Sequence, residues 1–276
     1  MTRLKVKSAA VLGLVLITFM VFAALFAGVV SPNDPMKINL DDRFAPASSQ
    51  YPLGADSYGR CIASRLLHGA RYSLGIAALV MCGIVATTIP IGMAATYKGG
   101  YAERIFLWMC DISMALPPTV LVLAIMGIMG NGLANLVFSS MFSYWGWYGR
   151  MVRSYTMTEM SKGYVIYAIT GGTSPVKVLG KHILPNIIPG LLVLFSLGIG
   201  DTILMISGYS FLGIGLSGAV PEWGAMLNEA KSMLLQAPRF AVYPGICVFL
   251  TVCAFNLFGE GLRSAFALTG KGVEYD

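Results

Sequence analysis

Acidic side chains set inside long uncharged runs are the places where this sequence could do chemistry. A charge in such surroundings must find a partner, water or a ligand. Asp201 is the clearest case, the one acid near the middle of an apolar run. Its carboxylate could attract a cation or an amine, or it could hydrogen-bond to a partner helix and fix packing. Asp111 sits one or two turns inside a second uncharged stretch. Metal chemistry finds less support, because His68 and His182 fall on opposite sides of the topology derived below. Cys61, Cys82, Cys110, Cys247 and Cys253 include no Cys-x-x-Cys pair, so no metal ligands are assigned. The sixteen methionines could handle a soft metal, or they could simply fill gaps between apolar helices.

Nucleotide chemistry is equally unsupported. Gly180-Lys181 is followed by His182 and lacks the first glycine of a phosphate-binding loop, and Lys271 is followed by Gly272. Gly213, Gly215 and Gly218 have dinucleotide-type spacing but lead into Ala219, Val220 and Pro221 rather than opening a helix. ATP hydrolysis by this chain alone is therefore not expected. Paired His, Cys or carboxylate residues at catalytic spacing are also missing from the sequence.

The elements that must position these residues are membrane helices. Apolar residues make up 56% of the 276, charged residues only 12%, and mean hydropathy is +0.72; soluble domains carry about 25% charge. Residues 11–30 hold no charge and are long enough to cross about 30 Å of hydrocarbon. A cleaved leader is the alternative, but leader cores run only about 7–15 residues. Further spans are expected at 73–96, interrupted by Pro90, and at roughly 187–208 and 240–259. Residues 112–149 are too long for one crossing. The Gly127, Gly130, Asn131, Gly132 cluster divides them into two, the first beginning near Ile105. The expectation is an all-α integral membrane protein with six transmembrane helices.

Arg3, Lys5 and Lys7 precede the first span with no acid among them, which predicts a cytoplasmic N-terminus and, after six spans, a cytoplasmic C-terminus. On that topology the external Lys37, Arg43, Arg60, Arg65, Arg71, Lys231 and Arg239 are balanced by neighbouring acids. The net charge of +6 is then mostly cytoplasmic bias and not a nucleic-acid footprint.

Residues 150–186 form the one long polar stretch, and the topology places them in the cytoplasm. Residues 155–169 are expected as a first helix with Tyr164, Val165 and Ala168 on one face, and Gly171-Gly172 breaks it. Thr173 or Ser174 can cap a second short helix, Pro175 fits its first turn, and Pro185 is expected to end it. With Arg153, Lys162, Lys177 and Lys181, these residues make either a docking knob for a soluble partner or an amphipathic hairpin lying on anionic lipid.

The stretch resembles the coupling loop of binding-protein-dependent ABC importer permeases. Ala168, Gly172 and Ile183-Leu184-Pro185 match that pattern, while Ile166 and Tyr167 stand where it has Glu and its first Ala. Other segments are similar, in order, to the dipeptide, oligopeptide and nickel permease family. They are Tyr51 through Arg60, Ser64-Arg65, Gly69 through Leu74, Gly99-Gly100, Asp111 through Pro117, Ser210 through Gly215, Glu222 through Leu227 and Ala254 through Gly259. Cys61, Glu103 and Trp108 replace the usual Asp, Asp and Arg.

The resemblance implies a multi-pass permease of a bacterial cell membrane, with an N-terminal helix and external loop at 1–70 and a five-helix core at 71–276. Tyr164, Val165, Ala168, Gly172, Ser174, Lys181, His182 and Pro185 would dock an ATPase subunit. Asp201, Asp111, Ser207 and Tyr209 would lie along the translocation path. The implied partners are a second homologous permease, two cytoplasmic ATPase subunits, an extracellular solute-binding protein and membrane lipid. ATP and Mg would sit on the ATPase subunits and no cofactor on this chain. Trp145 through Ser154 and the Gly208-Tyr209 pair resemble nickel-type members, and Ile206 stands where peptide-type members carry an acid. The implied solute is nickel, as a chelate, with a short peptide as the alternative. From a different class, an ion-driven carrier is the competing reading; such carriers often show inverted repeats, and no convincing internal repeat is found.

Overall fold

In the computed structural model, the backbone is described for residues 2–216 and 220–268, and side chains for 9–216 and 220–266. The side chains of Arg3, Lys5 and Lys7, together with Gly218, Ala219, Lys271 and Gly272, lie outside the described residues. Among the described residues all regular elements are helical, with one isolated antiparallel bridge, Ala55 to Cys61.

Helix α1 (Thr2–Leu25) and the short α2 (Ala27–Val30) lead into an irregular segment that ends at α3 (Ile62–Lys98). Then follow α4 (Gly100–Met114), α5 (Pro118–Met129) and α6 (Leu133–Met160). The polar stretch supplies α7 (Gly163–Thr170) and α8 (Pro175–Lys177). Helix α9 (Leu184–Phe211), the short α10 (Trp223–Ala230) and α11 (Arg239–Leu268) complete the bundle. The core gathers Ile76, Val80 and Ile84 of α3, Leu136 and Tyr148 of α6, Ile203, Ile206 and Tyr209 of α9, and Trp223 of α10. Phe19, Phe22, Leu79, Ile128, Phe138, Leu192 and Phe249 face outward and exposed. An apolar exterior of that extent suits lipid rather than water.

Among the described residues three helical stretches are long and apolar enough to cross a membrane: Ile62–Lys98, Pro175–Phe211 and Arg239–Phe266. The pair α4 and α5 makes a fourth if counted as one broken span, and the apolar part of α1, Ala9–Leu25, is shorter. Helix α6 carries Arg150, Arg153 and Glu159 in its second half.

Two expectations need correction. The span beginning near Ile105 is not one helix, because α4 and α5 meet at an angle of 82°. Pro117 and Pro118 explain the break: Leu116 is disfavoured from helical geometry before a proline, while Pro118 is suited to the first turn of the next helix. Pro185 does not end a helix either. A π-helical turn over Val178–Ile183 runs directly into α9. The Leu184 N–H reaches back five residues to the Leu179 carbonyl. This wider turn lets the chain pass a proline that has no N–H of its own to donate. The expected break at Gly130 to Gly132 is present, with Gly127 inside α5.

Candidate functional site

Helix spacing assembles a cavity between α6, α9 and the corner of α4 and α5. Ser143, Tyr144, Trp147 and Tyr148 share one face of α6, and Gly198, Asp201 and Thr202 share one face of α9. Met114, Leu116 and Pro118 add the corner between α4 and α5, so the proline break supplies one wall. The space holds about 360 Å³. Tyr148 stacks on Phe195 at 5.5 Å and meets Trp147 edge-on at 4.8 Å, so its ring is held from both sides. Asp201 is exposed towards the cavity, ten residues from the end of α9, about 15 Å along the axis. It takes part in no hydrogen bond or ion pair among the described residues.

Next to the cavity, α4 and α6 approach until their backbones nearly touch. A Cβ on Gly146 would lie 2.4 Å from the Cys110 carbonyl oxygen, so only glycine fits there. Ser113 Oγ donates to the Phe142 carbonyl at 2.6 Å and accepts from the Gly146 N–H at 3.2 Å. This approach brings Arg150, three residues beyond Trp147, onto Asp111. Asp111 is about 16 Å along α4 and Arg150 about 15 Å from the end of α6, yet their side chains are 54% and 47% exposed. A second pair, Arg153 to Glu103 at 2.6 Å, joins the same two helices nearer their ends.

The polar stretch folds into a compact knob. Helix α6 stops at Met160, and α7 starts only after Lys162 takes an extended conformation. The expected first helix over 155–169 is therefore split. Glu159 is buried and braces the junction, receiving Lys162 Nζ at 2.8 Å and the Tyr164 hydroxyl. Removal from water and the Glu159 carboxylate both push the Tyr164 phenol up, so it stays protonated and donates. Tyr164 also accepts from Asn186 Nδ2 at 3.0 Å, tying α7 to the start of α9.

Helix α7 ends in a paired motif. The Thr173 N–H donates to the Ala168 carbonyl at 3.0 Å, and the Gly172 N–H to that of Ile169 at 3.1 Å. Gly172 takes φ +78°, the left-handed conformation this motif requires. Ser174 occupies the cap position before Pro175, as its spacing predicts, but makes no side-chain capping bond.

The knob presents a different face from the one its sequence periodicity suggests. Val165 is buried among Val152, Val178, Ile183 and Ile187 and anchors α7 to the bundle. Tyr164, Gly172, Ser174, Lys181 and Pro185 are exposed, while Ala168 and His182 are half-buried. The outward apolar surface comes from Ile166, Tyr167, Ile169 and Val176, with Tyr167 and Val176 each 80% exposed.

Of the four path residues proposed from sequence, only Asp201 lines the cavity. Asp111 lies beside it, paired to Arg150. Ser207 and Tyr209 are buried between helices, away from the cavity wall. Tyr144 and Tyr209 approach each other closely without meeting the geometry of a hydrogen bond. Sequence reasoning missed Arg150, Trp147 and Glu159 as site residues. The signal for Arg150 was present, since it is the first charge after a long uncharged run that ends in paired tryptophans. Among the described residues, no three His, Cys, Asp or Glu side chains converge as metal ligands.

Residues 86–267 match the family described as binding-protein-dependent transport system inner membrane component. Residues 1–47 match the N-terminal TM domain of oligopeptide transport permease C. The chain is 38% identical over 253 residues to the glutathione transport system permease protein GsiD of Pectobacterium atrosepticum, covering 90% of this chain and 83% of that one. It is 34% identical over 252 residues to the nickel transport system permease protein NikC of Escherichia coli K12, covering 91% of each.

Proposed function

The chain belongs to the binding-protein-dependent transport system inner membrane component family, a multi-pass membrane family. From that membership we propose that it is one of two permease subunits of an ATP-driven importer. In this reading six helices cross the membrane with both termini in the cytoplasm, α4 and α5 together forming one broken crossing. Residues 1–70 form an N-terminal helix and external loop on a core of 71–276. Two cytoplasmic ATPase subunits bind ATP and Mg and hydrolyse ATP, and an extracellular binding protein delivers the solute.

The observation that carries this reading is the knob. Val165 and Glu159 fix it rigidly to the bundle, while Ile166, Tyr167, Ile169 and Val176 present apolar surface outward. A rigid arm with an apolar tip can transmit movement of a docked ATPase to α6 and α9, which supply two walls of the cavity. Closing the ATPases would then move the helix bundles against each other and alternate access to the path.

Gly172 offers a specific test. A Cβ there meets nothing within 4 Å, so a bulky residue costs about 1 kcal/mol of backbone strain but projects into the space a docked ATPase would fill. Gly172→Trp should leave the complex assembled in the membrane but lower uptake per ATP hydrolysed. Full coupling in this variant would contradict the docking assignment. Absence of any ATPase after mild co-purification with the chain's genomic neighbours would sink the importer reading and leave the ion-driven one.

The solute in this reading is nickel carried as a chelate. Support comes from the Trp145 to Ser154 string, the Gly208-Tyr209 pair and a match to the nickel permease that spans 91% of both chains. A second reading, a short peptide such as glutathione, is favoured by the 38% identity to the glutathione permease. Binding of nickel–histidine chelate versus glutathione by the cognate binding protein separates them.

A further inference from the structure

Asp201 poses a problem that the importer reading alone does not solve. A carboxylate about halfway along a membrane-spanning helix is costly unless it meets water or a positive charge. Among the described residues no hydrogen bond or ion pair reaches it, and its neighbours on the cavity wall are aromatic, hydroxyl and apolar side chains. Arg150 is committed to Asp111, with its neighbour Arg153 committed to Glu103. The uncompensated negative charge is thereby concentrated at one point on the cavity wall.

The rest of the wall suits the same visitor. Tyr144, Trp147 and Tyr148 line the cavity with Asp201, and aromatic rings attract cations through their electron-rich faces by about 0.5–2 kcal/mol. Its volume of about 360 Å³ falls in the small-molecule range. A bare transition-metal ion fits less well, because this chain supplies a single carboxylate there and transition metals take several N, O or S ligands.

We propose that this cavity is a cation station of the path, in which Asp201 and the rings of Tyr144 and Trp147, the latter braced by Tyr148, hold the positively charged part of the solute in transit. The proposal rests on the importer reading. The shared chemistry is a compact positive group, from either the ammonium of a peptide or the positive centre of a nickel chelate. A single carboxylate with aromatic neighbours holds such a group without trapping it, as transit demands. Beyond the station, one helical turn along α6, the solute meets Asp111 already neutralised by Arg150, so no second negative well competes.

The test uses the whole importer in liposomes with its binding protein, supplied separately with nickel–histidine chelate, glutathione or dialanine. Asp201→Asn should lower initial uptake per ATP hydrolysed on the order of tenfold, equivalent to about 1.4 kcal/mol, and should raise KM. Asp201→Glu should restore most of it, and Trp147→Leu should cost less than Asp201→Asn. Loss confined to the peptides identifies the ammonium, and loss confined to the chelate identifies nickel; either supports the station. Unchanged uptake of every transported solute by Asp201→Asn overturns it. So does dissociation of the second permease from that variant, which would make Asp201 a packing group. A wild-type complex whose ATP hydrolysis ignores the binding protein overturns the importer reading itself.

Discussion

The ion cluster that joins the segment before α3 to α10 and the charges beside the cavity use the same side-chain chemistry under opposite conditions. Asp56 accepts from Arg60 at 2.8 Å and Arg65 at 2.6 Å, while Glu229, more than 160 residues away, accepts from the same two arginines at 2.6 and 2.8 Å. Arg60, Arg65 and Asp56 are buried, so the cluster clasps the segment before α3 onto α10. Asp111 and Arg150, by contrast, meet once and stay half-exposed, and Asp201 has no ionic partner in this chain. Balanced, buried charges brace a structure. Exposed charges set among apolar helices need water or a ligand instead.

The sharpest break of that contrast is Arg65→Leu. It would leave Asp56 and Glu229 sharing Arg60 alone, and removing one partner of a buried pair costs about 3–5 kcal/mol. Thermal unfolding in detergent should fall markedly, and a near-normal midpoint would show that the cluster is not a brace. A smaller loss is expected from Gly146→Leu, where the new side chain meets the Cys110 backbone and overpacking costs about 1–3 kcal/mol. Pushing α4 from α6 should also separate Asp111 from Arg150, so uptake should fall along with stability. The smallest stability change belongs to Arg150→Gln, because exposed ion pairs contribute about 0–1 kcal/mol. Transport is the measurement that matters there: freeing Asp111 creates a second negative well, and slower release of a cationic solute should lower the turnover rate. Equal stability losses for Arg65→Leu and Arg150→Gln would erase the contrast between the two sets.

Local chemistry made much of the site legible. Gly172 and its neighbours signalled a helix stop, and the structure shows the paired carbonyl contacts and left-handed backbone that favour glycine there. Pro175 and Ser174 marked a start, and the Gly130 to Gly132 break was visible as a cluster of flexible residues. Hydropathy, however, does not register direction. The run through Pro117 and Pro118 reads as one apolar span, yet it folds through 82° because a proline restricts the residue before it. Pro185 misled in the opposite sense, since a wider helical turn accommodates it.

The face of α7 was misread for a related reason. Periodicity groups Tyr164, Val165 and Ala168, but only packing against Val178 and Ile183 decides that Val165 points inward and Ile166 and Tyr167 outward. Composition, run length and turn residues therefore settled that the chain is a helical membrane protein with a polar knob, because those properties act over a few neighbouring residues. Pairing Arg150 with Asp111, joining Asp56 to Glu229 and placing aromatic rings around Asp201 required the tertiary structure. Those contacts join residues 39 to 169 positions apart, Asp56 and Glu229 meeting through Arg60 and Arg65, and only the tertiary fold brings them together.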